Sequence, residues 1–154
     1  MKLKLTIELV PQTCWLSNVR SAVSSKRWDT IRNQVYSKAY HLCEICGGIG
    51  PKHPVECHEI WHYDDKKLIQ KLEGMIALCP DCHMVKHIGL ARIQNKGELA
   101  VKHLMKVNNL SRSKAEQYVV DCFQTWGSRS TKRWKLDITH LKDYGIDIRK
   151  LKNR

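Results

Sequence analysis

Apolar and polar positions alternate at the start of the chain, where Leu3, Leu5, Ile7 and Leu9 are separated by polar or charged neighbours as far as Pro11. Period-two alternation predicts a half-buried strand, and the proline ends it. Between Arg27 and His41 the period lengthens: Trp28, Ile31, Val35 and Ala39, with Arg32 and Tyr36 beside them, recur at helical spacing and lead into Cys43. That helix is expected to brace the first cysteine pair. PVECHEIW (residues 54 to 61) and MIAL (75 to 78) are short and rich in strand formers, and the DDKK between them suits a turn, so a hairpin is predicted. Pro80 and Asp81 then open a helix, because proline is tolerated in a first turn and an acid there complements the dipole. Met84, Ile88 and Ala91 give it an apolar stripe, and His83 and His87, four apart, share another face.

Further along, Leu99, His103, Leu104 and Val107 predict a helix ending near Asn108 and Asn109. Ser113 with Glu116 reads as a capping box for the strongest helix of the chain, whose Ala115, Tyr118, Val119, Cys122, Phe123 and Trp126 follow at helical spacing. Together the two make a helical hairpin. Trp134, Leu136 and Ile138 alternate again, as a strand that could pair with the N-terminal one. The expected class is α+β. We divide it into an N-terminal strand and bracing helix (1–41), a core built on the hairpin and the following helix (42–94), and a basic helical appendage with a terminal strand (95–154).

Length narrows this picture to one unit, since 154 residues are too few for two full domains. The net charge of +12 favours a polyanionic partner by long-range attraction. It is unevenly spread: residues 1 to 77 carry 11 basic and 8 acidic side chains (+3), residues 78 to 154 carry 16 and 7 (+9). The C-terminal half is therefore the expected electrostatic footprint, with a solubilising basic surface as the plainer reading. The N-terminus lacks the unbroken apolar core of a signal peptide, and no stretch approaches the roughly 20 apolar residues of a membrane span. No membrane partner is expected.

Seven cysteines, an odd number, include two CxxC pairs, Cys43 with Cys46 and Cys79 with Cys82. That is metal-site spacing, and with it a reducing, cytoplasmic compartment is expected. Four thiolates in this pattern are the usual cage of a tetrahedral structural Zn2+, which would close the intervening loop and compensate for a thin core. A redox role for either pair is the competitor; the βαβ setting of such motifs is not seen here. Cys14, Cys57 and Cys122 read as ordinary buried thiols. With the thiols assigned, His83 and His87 on the helix and His58 on the first hairpin strand remain, and three imidazoles on facing elements can hold one divalent cation.

CEICGG, ECHEIW and LCPDCHMVKH together resemble the zinc-stapled branch of the HNH endonucleases, the ββα-metal or His-Me finger group. The resemblance covers roughly Leu42 to Ile88. It implies a hairpin and helix around a single catalytic ion (Mg2+, Mn2+, Ni2+ or Zn2+), a structural zinc on the four cysteines, and hydrolysis of DNA phosphodiesters, with RNA left open. Matched without gaps, VECHEIW places His58 as ligand and Glu59 as general base. Slid by one, it places Cys57 as ligand and His58 as base; a thiolate is a poor magnesium ligand and Ile60 fits the first register, which is preferred. His83 takes the place of the helix ligand and His87 that of the second helix ligand. Two departures stand out: the family's central asparagine, which helps orient the base, falls at Gly74, and the base position holds a glutamate. His62, further along the strand, is a further base candidate, though a surface position suits it better.

The expected function is metal-dependent endonuclease activity, with His58, Glu59 and His83 as catalytic residues. Lys86, Arg129, Lys132, Arg133 and Lys135 would hold phosphates. The rival is a non-catalytic zinc module with a degenerate HNH fold that binds nucleic acid or protein without cutting it.

Overall fold

Three strands, six α-helices and three short 3-10 helices make up the computed structural model, which describes residues 2 to 151; Met1 and residues 152 to 154 lie outside the described residues. Asn18 caps a single helical turn, α1 (Val19–Ala22), and Ser24 caps α2 (Ser25–Lys38), each side chain accepting from a backbone N–H otherwise unpaired at a helix start. Next come β1 (Glu56–Asp64) and β2 (Ile69–Leu78), joined by a turn in which Asp64 accepts from the Lys66 and Lys67 amides. Cys79 caps α3 (Pro80–Lys86), and after a break at His87 the chain continues as α4 (Ile88–Ile93). Helices α5 (Gly97–Asn108) and α6 (Arg112–Arg129) form the helical hairpin, turned at Asn109 in the left-handed region (φ 52°), and β3 (Lys135–Asp137) follows. The class is α+β, and no described helix is long and apolar enough to cross a membrane.

The hairpin is antiparallel, with Glu56 opposite Leu78 and His58 opposite Ile76. Its strand period sends alternate side chains to opposite faces, and each face has its own partner. Cys57, Trp61, Met75 and Ala77 pack toward α2 with Ile31, Val35 and Leu72. Ile76 and Leu78 pack with Val85, Ile88, Leu104, Ala115 and Val119 on the α3 to α6 side. A bulge after Ile60, opposite Gly74, leaves Glu73 unpaired and lets Trp61 and Leu72 meet on one face. The zinc-type cysteines Cys43, Cys79 and Cys82 belong to the larger core.

Three expectations change. The N-terminal segment buries Leu5 and Ile7 as its alternation predicts, yet it joins no sheet. Its backbone is satisfied by helix side chains instead: Asn108 Oδ1 accepts from the Lys4 and Leu5 amides, and Tyr118 Oη accepts from Ile7 N–H. Alternation reports which face is buried, not what completes the hydrogen bonds. The Trp134 to Ile138 segment does form a strand, but β3 pairs in parallel with the start of β2. Finally, Ser111 and not Ser113 caps α6, accepting from Lys114 N–H. Helix α2 braces the hairpin through Val35, Val55 and Ala77.

Candidate metal centres

Among the described residues two groups of side chains come together in a way that could hold a metal ion. In the first, the donor atoms of Cys43, Cys46, Cys79 and Cys82 are all within 4.8 Å of one another, with Cys46 Sγ 3.6 Å from Cys79 Sγ. Sulfurs at the corners of a tetrahedral zinc with bonds of about 2.3 Å stand about 3.8 Å apart, so the set fits that ion. The knuckle after Cys43 is held by backbone bonds from Gly47 N–H to the Cys43 carbonyl and from Cys43 N–H to the Gly48 carbonyl. Gly47 takes φ 74°, where a side chain is strained, and a Cβ on Gly48 would crowd Cys46 Sγ at 3.3 Å. The Gly48 and Cys82 amides donate to Cys46 Sγ and Cys79 Sγ. Glu44 ties the knuckle to the end of β2, both its amide and its carboxylate bonding Ala77. A hydrogen bond from Cys82 holds the Cys43 thiol down at about 4, while Cys82 itself is pushed up. A bound divalent ion would hold the four sulfurs as thiolates.

In the second cluster His58 on β1, His83 on α3 and His87 at the α3–α4 break bring their ring nitrogens within 4.8 Å of one another. The ring centroids are 4.8 to 5.4 Å apart and every pair is edge to face. Hydrogen bonding of His87 N–H to the His83 carbonyl keeps the two helix rings one turn apart on one side. Burial lowers the His83 pKa and, with the neighbouring imidazoles, takes His87 down to about 3, so both rings carry free lone pairs at neutral pH. Neutral imidazole is the form that binds metal.

Carboxylates orient two of the three rings. Glu56 Oε2 lies 2.6 Å from His83 Nδ1, and the other Glu56 oxygen meets His53 Nε2 at 2.9 Å. Glu8 Oε2 lies 2.5 Å from His58 Nε2, and Lys86 Nζ donates to Glu8 Oε1 at 2.7 Å and to Thr6 Oγ1 at 2.8 Å. Burial alone would raise the Glu8 pKa; the bond to His58 and the charges of His58 and Lys86 outweigh it and hold it at about 2. A carboxylate on one ring nitrogen sets the tautomer and leaves the other free, here Nδ1 of His58 and Nε2 of His83. Glu8 escapes sequence reading because it is 50 residues from His58, and only the docking of the N-terminal segment beside Lys86, through Glu8 N–H to the Lys86 carbonyl, brings it there.

Other expected site residues lie elsewhere. Glu59 points away from the imidazoles, because neighbouring strand residues face opposite ways. It lies half-buried at the start of α1, accepting from the Val19 and Arg20 amides and from Trp61 Nε1, and its desolvation raises its pKa. Cys57 shares that face, its thiol pushed up to about 12 by burial, so the slid register does not gain a thiolate ligand either. His62 is exposed. Gly74 lies opposite Ile60 and an added Cβ would meet only His140 Nε2 at 3.8 Å, so space does not impose the glycine. Lys86 is 5% exposed and spent on Glu8, and Arg129 grips Asp65 with two bonds of 2.7 and 3.0 Å over the Tyr63 ring. Neither is a free phosphate contact; Arg133 and Lys135 are exposed and Lys132 is half-buried.

The placement of Glu59 carries a prediction. Glu59→Gln turns one of the two accepting oxygens into an amide donor, leaving Trp61 Nε1 or the α1 amides without their partner, and is expected to cost about 1 to 3 kcal/mol of stability in urea denaturation. If instead the variant is as stable as the parent, Glu59 does not tie Trp61 and the start of α1 together in this way. No family model, curated protein or solved structure matches the chain.

Proposed function

We propose that the protein is a metal-dependent endonuclease of the HNH type that hydrolyses DNA phosphodiesters, with zinc on the four cysteines as its staple. The observation that carries this reading is the convergence of His58, His83 and His87 beside a chemically separate four-thiol cluster. A pure zinc scaffold has no need of three converging imidazoles, one of them buried and two of them oriented by carboxylates. A divalent ion held by these rings would supply Lewis-acid stabilisation of the charge that develops on phosphate and on the departing sugar oxygen. Around it, Glu56 fixes the His83 ring and Glu8 fixes His58, so the nitrogens need little reorganisation on binding. Lys86 holds Glu8 ionised from a buried position.

The Glu8 contact also favours a second use of His58, as the base that takes the proton of the attacking water. A carboxylate behind an imidazole is the arrangement that fixes a base's tautomer and stabilises its protonated form. In this reading Glu8 does what the family's asparagine would do from the Gly74 position. Glu8→Gln separates the two uses. If His58 is a ligand, divalent-ion affinity measured by calorimetry is expected to fall about 10- to 100-fold. If His58 is the base, affinity should hold while turnover drops about 10²-fold or more. Unchanged affinity together with unchanged cleavage would remove Glu8 from the site.

The test of the function as a whole is incubation of the zinc-loaded protein with supercoiled plasmid and magnesium, manganese, nickel or zinc. Nicked or linear product that depends on the added ion is expected. If none of these metals yields cleavage of duplex, single-stranded or branched DNA, or of RNA, the non-catalytic zinc module is the better reading.

A further inference from the structure

The His83 and His87 rings open onto a groove of about 650 Å³ whose far wall is α5. Leu99, Lys102, His103 and Lys106 fall at helical spacing and turn one face of that helix to the groove, with Lys96 at its mouth. His83 and His87 line the opposite wall. The three lysines are exposed, in contrast to Lys86 and Arg129, whose charges are already used by Glu8 and Asp65. Building on the endonuclease reading, we infer that this groove is the track for one phosphodiester strand of DNA, with Lys96, Lys102 and Lys106 as its phosphate contacts, and that the 129–135 segment is not.

The geometry is suited to this. From Lys96 to Lys106 a helix rises about 15 Å, which spans about four phosphates at 3.4 Å per nucleotide of one strand. The competing acids are accounted for. Glu56 spends both oxygens on His53 and His83. Glu98 is held by Arg112 at 2.6 Å and stands 4.0 Å from Lys102, which stays largely exposed. Asp81 remains as an exposed acid at the start of α3, on the wall across from the lysines. A strand lying along α5 would pass the rings of His83 and His87, so the phosphate contacts and the candidate ion site belong to one path.

The experiment compares two triple variants of the zinc-loaded protein, with no other divalent ion added, binding a short fluorescent DNA duplex between about 50 and 200 mM salt. Lys96→Gln with Lys102→Gln and Lys106→Gln is expected to lower the log–log salt slope by about 2 to 3, at about 0.9 per lost phosphate contact. Lys132→Gln with Arg133→Gln and Lys135→Gln should change it by less than 1. The arginine version of the α5 triple, which keeps the charge, should bind as the parent does, and this controls for folding. If the parent binds and the tail triple loses the slope while the α5 triple keeps it, this inference is overturned and the endonuclease reading survives. If the parent binds no nucleic acid at any salt, both fall together.

Discussion

Serine in place of Cys79 is expected to empty the thiol cluster and unfold the larger core. Cys43, Cys79 and Cys82 are themselves members of that core, packed with Leu78, Val85 and Leu104. The binding free energy of a structural zinc is folding free energy, on the order of 10 kcal/mol, which matches or exceeds the whole stability of an ordinary domain. Cys79 also caps α3, so its loss would loosen the helix that presents His83. Elemental analysis of the reduced parent should give one tightly held zinc per chain, and the variant none, with the cooperative thermal transition lost. Cys14→Ser and Cys122→Ser, outside the cluster, should keep the zinc. A parent protein purified without zinc, or a Cys79→Ser variant that melts as the parent does, would refute the assignment.

His83→Ala is expected to take ion-dependent plasmid cleavage to background while leaving zinc content intact. Its ring is a quarter exposed, so truncation opens little cavity in the core. What it removes is one of three converging donors and the partner of Glu56. Calorimetry should show the second, exchangeable ion no longer bound at concentrations that saturate the parent. The thermal midpoint is expected to move by only a few degrees, since about 1 kcal/mol shifts a domain of this size by that much. Cleavage by His83→Ala at the parental rate would sink the imidazole site as the catalytic centre. The reverse pattern, lost zinc with retained cleavage, would exchange the roles of the two clusters.

Much of this was legible in the residue order because it depends on near neighbours. The helix over Pro80 to Lys86, the hairpin, the CxxC pairs and the His83–His87 spacing are all set by local propensity and by periods of two and 3.6 residues. The closing of two thiol pairs into one cluster followed too, because short spacings leave few other ways to share an ion. What escaped is what depends on partners far along the chain. Alternation in the N-terminal segment correctly marked Leu5 and Ile7 as buried, but only packing decided that Asn108 and Tyr118, and not a strand, would satisfy its backbone. The same docking put Glu8 on His58 and buried Lys86 as its counter-ion, and strand alternation turned Glu59 to the opposite face. Charge is countable in a sequence, but whether a charge is free or already paired is a property of three-dimensional neighbours. That is why +9 in the C-terminal half could not say that Arg129 is spent on Asp65 while Lys102 and Lys106 face the groove.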